Sequence, residues 1–405
     1  MNSEPLKLPA IRVTQPLGEF FAVAISAATL RKISFIDPTR IKEADRQSFF
    51  YNLLGAQRQG SIPRARQIAN YIDTVEAAFP NSIILAANYI NDGELQENPE
   101  KRWRIEDSNG SYRLVIPTLE QMASVIDGQH RLLGFDFCKP ERRDMELLCS
   151  VYIDLPQAYQ AYLFATININ QRKVDKSLAY EQFGYNLDKE KSDSWSPDKL
   201  AVSITRRLNL DPKSPFFRHI KITPIDTDEV FKDWGTDWQV STAAVVEGLI
   251  RLISTDPKRD RDTLHKLPLP LRSRARLSND AAPFRKCYIE NRDDEFRHFV
   301  NDFFKAAAEN LWNHATTASY IRKTIGIQAL FDVLKFIGAE NKTDEYRTVL
   351  KSSAKVDFSD PFYQASGKGR VRVKNTILLL AQLTKLDEIK STDLEGYRSI
   401  LSRYS

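Results

Sequence analysis

The residues with the clearest chemical potential lie together in the stretch Asp127-Gly128-Gln129-His130-Arg131, between an apolar segment and a predicted helix. Gly128 lets the backbone turn without a Cβ clash, and the first amides of the helix lack internal partners. His130 adds a titratable donor, and Arg131 adds a guanidinium fork that suits phosphate oxygens. Asp127 either caps the helix or positions a metal-bound water. Spacing alone leaves two interpretations open, a phosphate-binding turn and a purely structural polar turn.

Two basic segments further along the chain are candidate contacts for DNA. Residues 255–286 hold nine Lys and Arg against four Asp and Glu. In the second segment, "SGKGRVRVKN", an extended conformation would place the alternating cations on one side. Phosphate neutralisation by either segment would make DNA binding strongly salt-dependent, and a solvated loop is the alternative for both. The predicted DNA-contacting residues are Arg272, Arg274, Arg276, Lys368, Arg370 and Arg372.

Several familiar catalytic and metal-binding motifs are absent from the sequence. It has no P-loop pattern, no GxGxxG before a helix, no GxSxG and no HExxH. The three cysteines, Cys138, Cys149 and Cys287, are widely spaced and form no CxxC or zinc-type cluster. These absences argue against a P-loop nucleotidase, a dinucleotide-binding fold, a serine hydrolase and a zinc site. The cysteines are expected to be reduced packing residues.

The composition is that of a globular protein with a mildly basic balance. The 405 residues are 42% hydrophobic and 27% charged, with a formal net charge of +5. No apolar run approaches the roughly 20 residues of a membrane span, and the N-terminal region lacks the pattern of a secretion signal. We therefore expect a cytoplasmic protein without a membrane partner, whose charge permits a nucleotide or nucleic-acid partner.

Hydrophobic periodicity predicts the elements that must hold the turn. Residues 61–79 read as a helix that Ser61 caps, with an apolar face formed by Ile68, Tyr71, Ile72 and Val75. The segments "NSIILAANYI", "ASVID" and "ELLCSVYIDL" read as strands, and "PQAYQAYLFATININQ" reads as a helix. This alternation of strands and helices across residues 60–180 predicts an α/β or α+β core.

Helices dominate the second half of the chain. Three are predicted, in "STAAVVEGLIRLIS", "DDEFRHFVNDFFKAAAENLWNHA" and "ASYIRKTIGIQALFDVLKFIG". A polar loop places the boundary between residues 185 and 200. The predicted fold class is α+β, with an α/β-like domain and a mixed sheet in residues 1–190. A mainly α-helical region follows in residues 191–405.

The turn and its flanking segments resemble the DGQHR-domain family, which has DndB-like and DpdB-like members within the ParB/sulfiredoxin-like superfold. The string "VIDGQHRLLGF" resembles the family signature, and "PRARQIANYI" and "FPNSIILAANYI" resemble the first helix and a strand of the ParB nucleotide domain. The run "ELLCSVYIDLPQAYQAYLFATININQRKV" resembles the strand and helix that end in the second ParB box. The resemblance covers roughly residues 10–185 and, more weakly, residues 320–380. It implies a nucleotide-binding N-terminal domain.

Residue by residue, the resemblance places the ParB phosphate motif, GERR, on Gly128, Gln129, His130 and Arg131. The sulfiredoxin motif, GCHR, falls on the same four positions, but Gln129 stands where its reactive cysteine would be. Without that thiol, reduction of a sulfinic acid by this route is excluded. An arginine of the ParB nucleotide site falls in the segment that contains Arg58, Arg64 and Arg66, of which Arg64 is the predicted nucleotide contact. A solvated helix start is the alternative role for this basic group.

The second ParB box, ENxxR, aligns with the end of the predicted helix. Asn168 replaces the glutamate that helps to hold the metal in that family, which leaves Asn170 and Gln171 to supply amide contacts beside Arg172. A carboxylate binds Mg²⁺ better than an amide does, so the departure weakens the case for metal-dependent hydrolysis unless Asp127 compensates. Capping of the helix end is the alternative role for the amides.

Three functions follow from the resemblance. The first is a nucleotide-binding, ATP-hydrolysing component of a bacterial DNA-modification system, either phosphorothioation or 7-deazaguanine insertion, with ATP and Mg²⁺ as cofactors. In it, Asp127 is the base or metal anchor, and His130 and Arg131 stabilise charge on the transferred phosphoryl group. The second is a DNA-binding repressor of DNA-modification genes without hydrolysis, and the third is a ParB-like small-molecule kinase. The expected partners are the nucleotide, DNA and other proteins of the modification system.

Overall fold

A computed structural model describes residues 4–36, 40–41, 53–54, 61–170, 176–177, 180, 190–221, 238–364, 367–389 and 393–404. The chain divides into two compact units, Met1–Arg172 and Lys173–Ser405. The sequence places the boundary somewhat later, between residues 185 and 200. Each unit is described below by itself.

The N-terminal unit is built on an eight-stranded mixed sheet. Its order is β3-β9-β6-β10-β2-β1-β8-β7; β6 is parallel to β10 and β3 is parallel to β9, whereas the other pairs are antiparallel. A separate two-stranded pair is formed by β4 and β5. The strands are β1 (Leu6–Gln15), β2 (Gly18–Ser26), β3 (Ser34–Phe35), β4 (Arg40–Ile41), β5 (Leu53–Leu54), β6 (Ile83–Ala87), β7 (Arg104–Ser108), β8 (Ser111–Ile116), β9 (Ala123–Asp127) and β10 (Glu146–Ile153).

Four helices accompany this sheet: α1 (Ala27–Ile33), α2 (Ile62–Ile72), α3 (Gln129–Gly134) and α4 (Gln157–Asn170). The strands predicted in residues 81–90, 123–127 and 146–155 are confirmed as β6, β9 and β10. Most of their apolar residues are buried, as in Leu85, Val125 and Val151, because all three strands lie inside the sheet. A mixed sheet with packed helices confirms the predicted α+β class for this unit.

Helix α2 is shorter than the sequence predicts. It ends at Ile72 rather than near residue 79, because the Tyr71 hydroxyl binds the chain that follows, donating to the Glu76 carbonyl at 2.9 Å and accepting from the Ala78 amide at 3.0 Å. Only part of the predicted apolar face is therefore inside the protein. Ile72 is fully buried, whereas Tyr71 and Val75 are exposed.

The C-terminal unit is mainly helical, as predicted. Its helices are α5 (Pro197–Leu210), α6 (Thr242–Ile253), α7 (Pro257–His265), α8 (Arg285–Ile289), α9 (Asp293–Ala307), α10 (Thr324–Ala339), α11 (Tyr346–Lys351), α12 (Gly367–Leu380) and α13 (Leu394–Tyr404), with a parallel strand pair, β11 (Ile220–Lys221) and β12 (Val240–Ser241). The three helices predicted here are confirmed as α6, α9 and α10. They meet at a core in which the rings of Phe304 and Phe331 lie 4.7 Å apart, and Phe331 packs so closely against Gly248 that any side chain there would overlap it.

Two arginines of the basic segment at residues 255–286 are buried and form ion pairs with carboxylates of the same unit. Arg274 is 0% exposed; its guanidinium donates to Asp293 Oδ1 at 2.6 Å and to the Trp195 carbonyl at 3.0 Å. Arg285 is likewise buried and binds both oxygens of Asp260, at 2.6 and 2.8 Å. The predicted DNA contact through Arg274 is therefore not available in this fold, because a buried and paired guanidinium presents no charge to a phosphate.

The second basic segment is helical, and the prediction of an extended strand there is wrong. Residues 367–380 form α12, whose successive residues turn by about 100° and so do not place alternate cations on one side. Arg370 makes a bidentate pair with Asp332, with both distances 2.6 Å, and Arg372 donates to Asp393 at 2.7 Å. The helix forms because its C-terminal half carries the apolar residues that bury it, Ile377 among them.

The turn between β9 and α3 has a conformation that only glycine fits well. Gly128 has φ +99°, in the left-handed region that L side chains rarely adopt. A Cβ at this position would overlap Ile83 Cδ1 and lie 3.1 Å from Arg131 Nη2. Strand β6 can therefore approach the turn this closely only because Gly128 has no side chain.

We predict that Gly128→Ala lowers the stability of the N-terminal unit by about 2 kcal/mol, because backbone strain and overlap with Ile83 act together. Gly110→Ala is the matched control. Gly110 also has a positive φ, +84°, but a Cβ there would meet nothing within 4 Å, so we expect a loss of roughly 1 kcal/mol. The melting temperatures of the two variants check this, and equal shifts would contradict the role of the Ile83 contact.

Candidate functional site

A cavity of about 840 Å³ opens beside the turn between β9 and α3. Its size is in the range of small-molecule sites. Its wall combines polar and apolar side chains. The polar side chains are those of Arg64, Asn81, Ser82, Asp127, Gln129, His130 and Arg131, and the apolar ones are those of Ile68, Ile84, Ile126, Leu148, Phe164 and Ile167.

Arg131 is tied to the protein rather than directed freely into the cavity. Its Nη2 donates to Asp127 Oδ2 and to the Ser82 carbonyl, both at 3.0 Å, and its Nη1 donates to the Asn81 carbonyl. The side chain is 18% exposed. The guanidinium therefore links the start of α3 to the end of β9 and to the residues before β6. This placement revises the expected phosphate fork, since most of its donors are already engaged.

His130 points to the beginning of α2. Its Nε2 accepts a hydrogen bond from the Ser61 amide at 3.3 Å, which requires that nitrogen to be unprotonated. Burial and the neighbouring Arg64 guanidinium lower the pKa of His130 below its ordinary value of 6.5, against an opposing effect of Asp127. The free protein thus holds a neutral imidazole at this point of the cavity wall. Ser61 caps the helix with no side-chain hydrogen bond, contrary to the predicted role of its hydroxyl.

Gln129 carries a polar atom without a partner. The residue is 7% exposed, and its Oε1 has no hydrogen bond within the described part of the chain. An unsatisfied buried amide oxygen costs about 1–3 kcal/mol, and such a group in a cavity wall is a point where a ligand or a bound water gains a hydrogen bond. Rotation of the amide by 180° would present its N–H donors instead.

Arg64 is the cation on the cavity wall with the greatest freedom. It lies on the exposed side of α2, and in the described ranges it forms no ion pair. Arg66, two residues further along the same helix, lies instead over the Phe137 ring, with the guanidinium carbon 5.6 Å from the ring centroid. Arg64 therefore supplies the mobile positive charge that the engaged Arg131 does not.

The predicted residues of the second ParB box are only partly described. Asn168 and Asn170 belong to α4, the helix that also contributes Phe164 and Ile167 to the wall of the cavity. Gln171 and Arg172 lie outside the described residues. The structure thus brings the helix that bears the box to the cavity, while the nucleotide contacts expected of these four residues remain predictions.

The sequence does not reveal the apolar side chains of the wall or the carbonyls before β6. It predicts only that Phe164 and Ile167 belong to a helix; their spacing of three residues was the available signal that both lie on one face of it.

The DNA contacts predicted for Arg272, Arg276 and Lys368 belong to the C-terminal unit. Arg272 donates to the Leu267 carbonyl at 2.9 Å, whereas Arg276 and Lys368 are exposed, and their contacts to DNA remain predictions.

Neither a metal cluster nor a reactive thiol is evident at this cavity. The described residues contain no group of three or more His, Cys, Asp or Glu side chains arranged to hold a metal ion. Burial raises the pKa of Cys149, on β10, to about 12, so this thiol is a packing group rather than a nucleophile.

Comparison with protein families gives one match. Residues 8–194, just under half of the chain, match the model of the DndB family, described as DNA-sulfur modification-associated. Neither the curated proteins nor the solved structures yielded a match to the chain. Among the residues that the structure describes, no helix combines the length and hydropathy needed to cross a bilayer. Residues 8–194 are therefore similar to the DndB family, whose description links that family to DNA sulfur modification.

Proposed function

We propose that the cavity beside α3 binds a nucleoside triphosphate, and that the protein is a nucleotide-responsive component of a DNA sulfur-modification system. The observation that carries the proposal is the composition of the wall, which combines cationic and polar groups with apolar side chains. A nucleotide likewise combines charged phosphates with a base. The unpartnered amide oxygen of Gln129 supports a ligand with hydrogen-bonding groups.

The side chains present fit ATP in a definite orientation. Arg64, His130 and the backbone at Gly128 would hold the phosphates, while Phe164 and Leu148 would pack against the base. Mg²⁺ would arrive bound to the phosphates, as is usual for this ion, with Asp127 as the nearest carboxylate of the wall. When bound, the ion would neutralise phosphate charge; the protein's own part is to bind and orient the nucleotide.

The pairing of Asp127 with Arg131 favours binding without efficient hydrolysis. A carboxylate oxygen that already accepts a hydrogen bond from a guanidinium is less available to take a proton from an attacking water, as a general base must. This observation supports the second candidate function, a repressor of DNA-modification genes that senses the nucleotide. ATP hydrolysis with Asp127 as base, and transfer to a small acceptor as in a kinase, are the alternatives that a turnover assay tests.

The first experiment measures the contribution of Arg64. We expect Arg64→Gln to weaken binding of Mg²⁺–ATP about tenfold, since it removes a charge-assisted hydrogen bond to phosphate. Binding is measured by anisotropy of a fluorescent ATP analogue and by the rise in melting temperature with ATP, which follows from binding to the folded state.

Arg66→Gln is the matched control, because it removes the same charge from the same helix at a residue outside the cavity wall. Its affinity should stay within about twofold of the unmodified protein. Equal losses in the two variants would mean that the helix attracts anions only through its overall charge. No binding of ATP, GTP or CTP to the unmodified protein would overturn the proposal.

A second prediction concerns pH. In the free protein, burial and Arg64 hold the pKa of His130 below 6.5. A phosphate dianion beside His130 favours the imidazolium and therefore raises this pKa. Binding then takes up a proton, so the affinity for ATP should rise as pH is lowered from 8 towards 6. Titration calorimetry across this range should give a steeper rise for the unmodified protein than for His130→Asn. Protonation of the nucleotide itself affects the unmodified protein and His130→Asn equally. If the affinities of the two proteins for ATP changed with pH in parallel, His130 would not lie beside the phosphates.

A third prediction separates sensing from hydrolysis. With radiolabelled ATP and Mg²⁺, we expect release or transfer of the γ-phosphate at the background rate, unchanged in Asp127→Asn, although ATP still binds. Release of inorganic phosphate that Asp127→Asn abolishes, in a variant that still binds ATP, would establish the hydrolytic alternative. A labelled product other than phosphate would establish the kinase.

A further inference from the structure

A second pocket lies on the N-terminal sheet, away from the turn. It has a volume of about 550 Å³ and is formed at one end of strands β1, β2, β7 and β8 and the chain before β7. None of its residues belongs to the wall of the first cavity. Three arginines line it, Arg12, Arg102 and Arg104, against two carboxylates, Glu19 and Asp154.

Trp103, one of the residues that line this pocket, has a buried indole N–H without a partner. Trp103 is 1% exposed, and its Nε1 makes no hydrogen bond to any described residue. Its main chain is fixed on both sides by the buried Asn88, whose Oδ1 accepts from the Trp103 amide at 2.6 Å and whose Nδ2 donates to the Trp103 carbonyl at 3.1 Å. The protein therefore holds a buried donor in place at the cost of leaving it unsatisfied.

The same asparagine organises the charges around this donor. Asn88 Nδ2 donates to Asp154 Oδ1 at 2.7 Å, and Arg102 forms an ion pair with the other oxygen, Oδ2. Both Asn88 and Asp154 adopt positive φ, 73° and 57°, a strained conformation for residues other than glycine. The charge of Asp154 is thus balanced by the ion pair with Arg102. This ion pair and the hydrogen bond from Asn88 hold Arg102 beside Trp103.

Arg12 and Arg104 stand at the open side of the pocket. The Arg12 guanidinium carbon lies 5.0 Å from the centroid of the Tyr112 ring, and no carboxylate pairs with Arg12 within the described ranges. Arg104 is exposed and makes one long contact to Glu106, 3.5 Å. Both guanidinium groups therefore retain donors for an anion, and Glu19, at the exposed rim, is the single opposing charge without a partner in the described ranges.

We infer that this pocket binds a phosphodiester group of the DNA backbone. Arginine forks match phosphate oxygens in geometry and charge, and Arg12 and Arg104 present such forks at the exposed side of the pocket. The aromatic platform beneath Arg12 and the open access suit a long polymer, as on other surfaces that follow a nucleic-acid backbone. The association of residues 8–194 with DNA sulfur modification supports DNA as the source of the phosphate. The inference is independent of nucleotide binding at the first cavity.

The test measures binding of the full chain to a fluorescein-labelled DNA duplex of about 20 base pairs at several salt concentrations. Removing one phosphate contact should lower the slope of log affinity against log salt by about one. We expect Arg12→Gln to weaken binding three- to tenfold with that change of slope. Arg113→Gln is the matched control, since Arg113 is an exposed arginine next to Tyr112 on β8 that does not line the pocket, and its affinity should stay within about twofold.

A further variant tests the second exposed arginine of the pocket. We expect Arg104→Gln to weaken DNA binding in the same direction as Arg12→Gln. The ATP-dependent rise in melting temperature should be unchanged in Arg12→Gln, which separates this site from the first cavity.

Three outcomes would overturn the inference. Equal losses in Arg12→Gln and Arg113→Gln would show that DNA responds only to overall charge. Displacement of the duplex by inorganic phosphate at millimolar concentration would show a site for small anions instead. Failure of the unmodified protein to bind the duplex at low salt would leave no DNA site on this face.

Discussion

The pairing of Asp127 with Arg131 is the interaction on which the shape of the first cavity depends. Asp127 ends β9 and Arg131 lies in the first turn of α3, and the same guanidinium also holds the carbonyls of Asn81 and Ser82 before β6. Because β6 and β9 are antiparallel neighbours, these bonds close the end of the sheet where the chain enters the helix. Loss of one partner would leave the other charge partly buried without compensation, which costs more than the pair itself contributes.

This constraint separates the residues that build the cavity from those that face its contents. Successive residues of a helix point about 100° apart, so Gln129, His130 and Arg131 leave the turn in three directions. Arg131 returns to β9, His130 reaches the start of α2, and Gln129 is buried with a free amide oxygen. A motif that looks uniform in sequence thus contains one structural residue, one titratable residue and one unsatisfied polar residue.

Local features of the fold could be predicted because their signals lie within a few residues. The left-handed turn at Gly128, the buried strands β6, β9 and β10, and the long helices α6, α9 and α10 all follow from glycine placement and hydrophobic periodicity. Features that depend on distant partners could not be predicted in this way. The engagement of Arg131 requires the carbonyl of Asn81, 50 residues earlier, and the early end of α2 requires a hydroxyl that binds the chain beyond it. The apolar side chain of Phe164 in the wall likewise comes from an element far away in sequence.

The same limitation explains why composition is a poor guide to where DNA would bind. The runs that contain Arg274, Arg370 and Arg372 are rich in cations, yet these three side chains are paired with acidic residues 19, 38 and 21 positions away. Charge that is paired inside the fold contributes little to the field outside it. Arg12 and Arg104, in contrast, lie about 90 residues apart in sequence, on β1 and β7, which flank β8 in the sheet, and both line one pocket. The charge available to a polyanion is therefore decided by which cations the fold leaves unpaired, and the sheet assembles such cations from positions that no single stretch of sequence reveals.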